Sequence, residues 1–239
     1  MNICKLVDED LYRCAAYWAE RQQEFLPDLY EDFQDLVKPD SICYEPVAGS
    51  AFDIANLAMA EWFLFDRGFG AYQSALDAYL AHPPRGVSFA HKERLTQISH
   101  TQFFSQFVIL NKDAASGMCL LEDRFGGRRY QVFDSHVAEH PRWGTGLISE
   151  RIARCDGQWM LVGRIHLYDT APAKLSIEHE SQCDTFAACG SGGTCDENGA
   201  KQGVHEHAQN PDNFFIQLLR DCLSMDGRYH ASMRISCAP

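Results

Sequence analysis

A chain of 239 residues with 46% hydrophobic and 12% aromatic content is long and apolar enough to bury a core, which excludes a disordered protein. Its formal net charge of −12 repels phosphate backbones and anionic lipid, so neither nucleic acid nor a membrane surface is expected as a partner. The N-terminus, MNICKLVDEDLY, lacks the basic-then-apolar layout of a leader, no apolar run reaches membrane-spanning length, and a cytoplasmic location is expected.

From Asp8 to Val37 the apolar period is helical: Leu11, Cys14, Ala15 and Trp18 recur at i, i+3, i+4 and i+7 after the acidic start Asp8-Glu9-Asp10. Pro27 separates this helix from a second one carrying Leu29, Phe33, Leu36 and Val37, and 38–49, with Pro39, Pro46 and Gly49, reads as a connector. Ser50 then caps an intensely apolar helix ending in Glu61-Trp62-Phe63-Leu64-Phe65-Asp66. Apolar residues fall on almost every side of it, which predicts a buried spine. A third helix is expected over 70–82, and a fourth, capped by Ser88, runs to about Phe104.

After Phe104 the period changes to two. Stretches 106–110, 118–122 and 129–133 read as strands, with a turn at Gly126-Gly127 between the last two. Stretches 146–154 and 158–168 form a hairpin around Asp156-Gly157, whose central positions tolerate positive φ. Leu120, Val132, Ile148 and Leu161 are the core candidates. Beyond Tyr168 a Gly-, Ser- and Cys-rich stretch precedes a last helix with Phe214, Phe215, Leu218, Leu219 and Cys222 on its apolar face, begun by Asn210-Pro211. The fold expected is α+β: N-terminal and central helices, a small antiparallel β-barrel of about five strands, and a C-terminal helix docked back on the rest. Three regions follow: 1–49 helical, 50–169 helical module plus barrel, and 170–239 loop and final helix.

The segment 51–169 resembles a module of uncharacterised bacterial proteins, several of which end in a SEC-C zinc motif. The resemblance rests on Glu61-Trp62-Phe63-Leu64-Phe65-Asp66 closing one helix, a helix like 72–80, a Ser88-capped helix running into a strand, and two hairpins. It implies a fold and no reaction. Cys189-Gly190-Ser191-Gly192 matches the SEC-C core, but Ala187 stands where the preceding Cys belongs, and Asn198 and Gly199 replace the downstream pair. The zinc knuckle is therefore not intact.

Ten cysteines, at 4, 14, 43, 119, 155, 183, 189, 195, 222 and 237, are too dispersed for a disulfide scaffold and read mostly as small buried hydrophobes. Cys183, Cys189 and Cys195 with His205 and His207 offer the donors of a structural zinc site, although their even spacing lacks the paired CxxC knuckle, and scattered cysteines explain them as well. Cys43 and Cys155 are nucleophile candidates only if a base and a lowered thiol pKa accompany them. Glu61 and Asp66, five positions apart on a helix, are expected on different faces. His136, His140 and Trp143, between the hairpins, are candidate ligand-binding residues at the barrel mouth. No phosphate loop, dinucleotide fingerprint, GxSxG or HExxH occurs, and no catalytic residue is assigned. The expected function is a non-enzymatic binding or regulatory module for a protein or small-molecule ligand. The alternative is a metal- or thiol-dependent enzyme using 183–207.

Overall fold

The structure, a computed structural model, describes residues 3–39, 50–141, 144, 146–169, 214–224 and 234–237. Its helices are α1 (Ile3–Ala19), α2 (Leu26–Val37), α3 (Ser50–Phe65), α4 (Ala75–Ala81), α5 (Phe89–Thr101), α6 (Ser135–Glu139) and α7 (Phe214–Leu223). Its strands are β1 (Phe103–Asp113), β2 (Met118–Asp123), β3 (Arg129–Phe133), β4 (Leu147–Cys155), β5 (Gln158–Leu161), β6 (Ile165–Asp169) and β7 (Arg234–Cys237).

A 3-10 turn over Gln22–Glu24 separates α1 from α2, and Pro27 sits in the first turn of α2, where its missing N–H costs nothing. Helix α1 begins at Ile3, so Asp8-Glu9-Asp10 lies inside it and not at its start. Asp10 is consequently buried, bound by His91 Nδ1 and Arg94 Nε at 2.6 Å each, which fastens α1 to α5. Helix α4 starts later than the sequence period implies. The Ser74 hydroxyl accepts from the Asp77 N–H and caps it, while Phe69 and Tyr72 form a small bridge instead of a helical turn. Ser88 caps α5 in the same way through the His91 N–H.

Spine helix α3 buries Trp62, Phe63 and Phe65. Phe63 stacks on Phe25 with ring centres 4.5 Å apart, and Trp18 and Phe69 meet the pair edge-on. Such aromatic contacts add to the area they bury. Helix α7 buries Phe215, Leu218, Leu219, Cys222 and Leu223 and packs against α2, α3 and β1, so the tail docks on the helical side.

Strands β1-β2-β3-β5-β4 follow one another around a closed barrel, the ring completed by β1–β4, with β6 and β7 continuing the sheet. All its pairings are antiparallel except β3–β5, which is parallel, so the barrel is mixed and not purely antiparallel. With α6 between β3 and β4, its Val137 and Ala138 buried in the barrel interior, the connectivity is that of an OB-type Greek-key barrel. That connectivity carries no activity of its own. The β4–β5 turn has Asp156 and Gly157 at φ 48° and 84°, as the Asp-Gly pair demands.

Val132 and Ile148 are fully buried, but on β2 the inward residues are Cys119 and Leu121, with Leu120 half-buried, and on β5 Met160 is buried while Leu161 is only half so. Runs such as Met118-Cys119-Leu120-Leu121 are apolar at both parities, so period two cannot choose the phase.

Strands β5 and β6 both pair with β4 and are separated by Val162-Gly163-Arg164. Here the Val162 and Gly163 N–H groups both donate to the Arg151 carbonyl, and those of Arg164 and Ile165 donate to Glu61 Oε2 at 2.7 and 3.2 Å. A helix carboxylate thus completes hydrogen bonding that the broken ladder leaves open. Arg151 Nε donates to Glu61 Oε1 at 2.9 Å, its terminal nitrogens donate to Asp66 and Gln102, and the rings of Phe65, Phe104 and Phe215 surround the guanidinium. Glu61 and Asp66 therefore converge on one cation. Asp66 lies past the end of α3, where both the Asp66 and Arg67 N–H groups return to the Trp62 carbonyl and the chain tightens.

Candidate functional site

Strand β4 is central to the sheet and, apart from Arg154, buried from Leu147 to Cys155. Its alternation sends Ile148 and Ile152 into the barrel interior and Leu147, Ala153 and Cys155 toward the helices. Glu150, between the two isoleucines in phase, is fully buried, and among the described residues neither of its carboxylate oxygens receives a hydrogen bond. Its cross-strand neighbour Ser105 spends its hydroxyl on the buried Asp123, donating to Oδ1 at 2.6 Å, and a buried carboxylate left without a donor is costly unless another group compensates it.

Two side chains approach it. Asp134 follows β3 and caps α6, its Oδ1 accepting from the Val137 N–H at 3.0 Å. His166, on β6, places Nε2 3.1 Å from Asp134 Oδ2 and 3.4 Å from Glu150 Oε2. All three residues are buried, and one donor atom from each lies within 4.8 Å of the others. The His136 ring packs 5.1 Å from that of His166, and the ring of His140, just past the end of α6, lies 6.0 Å from that of His136. Lys112 Nζ donates to the carbonyls of Val137 and His140, fixing the far end of α6.

Burial, and then the Asp134 carboxylate beside it, push the Glu150 pKa well above the ordinary carboxylate range. Burial acts in the same sense on Asp134, but His166 and the Val137 N–H outweigh it and hold its carboxyl below the usual value. Burial, followed by repulsion from His166, lowers the His136 pKa. Two neighbouring carboxyls with opposed pKa values, next to an imidazole, are the kind of arrangement found at functional sites.

A cavity of about 580 Å³ lies between the helices and this end of the barrel. Trp18, Phe25, Met59 and Phe63 contribute apolar walls, Asp8 and Asn56 add polar groups on the helical side, and Asp134, His136 and Arg164 form a polar end at the barrel. Its size and lining are those of a small-molecule site.

Of the residues singled out in the sequence, His136 lines this cavity and His140 packs against His136 without lining it, while Trp143 lies outside the described residues. Cys183, Cys189, Cys195, His205 and His207 also lie outside them, as does Cys43. Cys155 is fully buried, and burial and the nearby Asp156 push its thiol up to about 11, the opposite of what a nucleophile needs. Asp134, Glu150 and His166 were not visible from motif or spacing. The sequence signal was Glu150-Arg151 in the middle of an apolar strand, where two adjacent charges face opposite sides and both must be compensated.

Among the described residues no helix is long and apolar enough to cross a membrane. No known family, curated protein or solved structure matches the chain.

Proposed function

We propose that the protein is a cytoplasmic, non-enzymatic binding module of the helical-plus-barrel kind it resembles in bacteria. Its ligand is a small, largely apolar molecule with one polar end. The observation that carries this reading is the cavity of about 580 Å³, walled mainly by apolar and aromatic side chains of the helices, with Asp8 and Asn56 among them, and polar at Asp134, His136 and Arg164. Apolar walls supply affinity and a few convergent polar groups supply orientation. The outer face of β2 and β3, where barrels of this connectivity bind oligonucleotides, carries Arg129 paired to Glu122 at 2.7 Å, not a basic, aromatic platform. With the net charge of −12, this favours a small molecule over nucleic acid.

A neutral environment-sensitive fluorophore, N-phenyl-1-naphthylamine, tests the reading. Saturable binding with one site is expected, weakened at least tenfold by Leu57→Trp, which adds bulk to the half-buried cavity wall. Absence of saturable binding by folded protein, or equal affinity in the variant, overturns it.

A further inference from the structure

We propose that Asp134, Glu150 and His166 form a binding site for a first-row divalent metal cation at the α6 end of the barrel, next to the polar end of the cavity. The case begins with Glu150, fully buried among barrel-lining residues, neither oxygen of which accepts a hydrogen bond from the described residues. The side chains that approach it are not a structural cap for a carboxylate; they are two more potential metal ligands. His166 Nε2 stands 3.1 Å from Asp134 Oδ2 and 3.4 Å from Glu150 Oε2. Ligand atoms bonded to one metal at about 2.0–2.2 Å lie about 3.0–3.6 Å from each other, so these separations already suit a shared ion.

Charge and donor chemistry select the cation. Two carboxylates match a divalent charge, and a cation there would compensate Glu150, whose oxygens accept no hydrogen bond from the described residues. One imidazole with two carboxylates suits zinc, cobalt, iron or manganese, whereas calcium and magnesium favour all-oxygen shells. The supporting shell is in place: Asp134 is fixed by its cap to the Val137 N–H at 3.0 Å, and α6 is held by Lys112 at its other end. Outer contacts of this kind orient metal ligands. Asp134 and His136 also line the cavity, which gives an ion a route inward and leaves room for solvent to complete the coordination.

The test is a Co²⁺ titration of the full chain, stripped of metal with a chelator, followed by visible absorption and thermal denaturation. One equivalent should bind, with ligand-field bands of an oxygen and nitrogen environment, no thiolate-to-metal charge-transfer band, and a raised Tm. Glu150→Gln and Asp134→Asn should each weaken binding at least tenfold. Asn caps helices as well as Asp, so the second variant keeps α6 and carries the test if the first does not fold. No saturable binding overturns the proposal. So does binding that survives both substitutions, and a thiolate band with undiminished affinity would place the metal on the cysteines instead.

Discussion

Glu61 and Arg151, 90 positions apart in the chain, meet through Oε1 and Nε at 2.9 Å with each side chain only 1% exposed. The pair joins the spine helix to the central barrel strand, and Asp66 and Gln102 share the same guanidinium. Removing one partner of such a pair leaves a buried charge uncompensated, which costs about 3–5 kcal/mol. Arg151→Met should therefore destabilise the protein by that amount in urea denaturation. Adding Glu61→Gln to Arg151→Met should recover part of the loss, so the double variant is more stable than the sum of the single effects implies.

Gly163 is where the backbone comes closest to this pair. A Cβ there would stand 2.8 and 2.9 Å from the Glu61 oxygens and 3.0 Å from Arg151 Cβ. Gly163→Ala should cost about 1–3 kcal/mol, as overpacking does. The measured loss should shrink when Glu61 is simultaneously Ala; an equal loss in both backgrounds would place the strain elsewhere.

Helix α7 buries Phe215, Ile216, Leu218, Leu219, Cys222 and Leu223, and each large apolar side chain contributes about 1.5–3 kcal/mol when buried. Phe215 also covers the Arg151 guanidinium at 5.2 Å. Truncation after Asn210 should lower the Tm and produce aggregation visible by size-exclusion chromatography. An unaltered, monodisperse product would mean that the helix is dispensable.

Cys14 and Cys155 are fully buried, and desolvation pushes their thiols up to about 12 and 11. The thiolate is the reactive form, so both should resist iodoacetamide at pH 8 in the native state and react once the chain is unfolded. Mass spectrometry of native and denatured samples distinguishes the two.

Where one apolar pattern has one structural solution, the sequence was readable. The all-round apolar face of α3, the Ser88 cap and the Asp156-Gly157 turn each follow from local chemistry. The phase of β2 was not readable, because Met118-Cys119-Leu120-Leu121 is apolar in both directions. Nor was α6, whose Ser135–Glu139 turn is too short to show a period and depends on the Asp134 cap and on Lys112 for its ends. The break between β5 and β6 was hidden because two of its N–H groups, those of Arg164 and Ile165, are satisfied by Glu61, a residue about a hundred positions earlier. The Asp134–Glu150–His166 cluster was hidden for the same reason: three elements supply one residue each, and only the closed barrel brings them together.

The one parallel pairing in that barrel has a further consequence. β3 and β5 meet over only Val132–Trp159 and Phe133–Met160, whereas β1 runs beside β4 through six successive pairs. A ring opens first at its shortest seam, so spontaneous fluctuations should part β3 from β5 while the other strands stay paired. Because Asp134 follows β3 directly, that motion would carry the polar end of the cavity away from β4. The barrel's weakest edge and its most chemically loaded corner thus open as one.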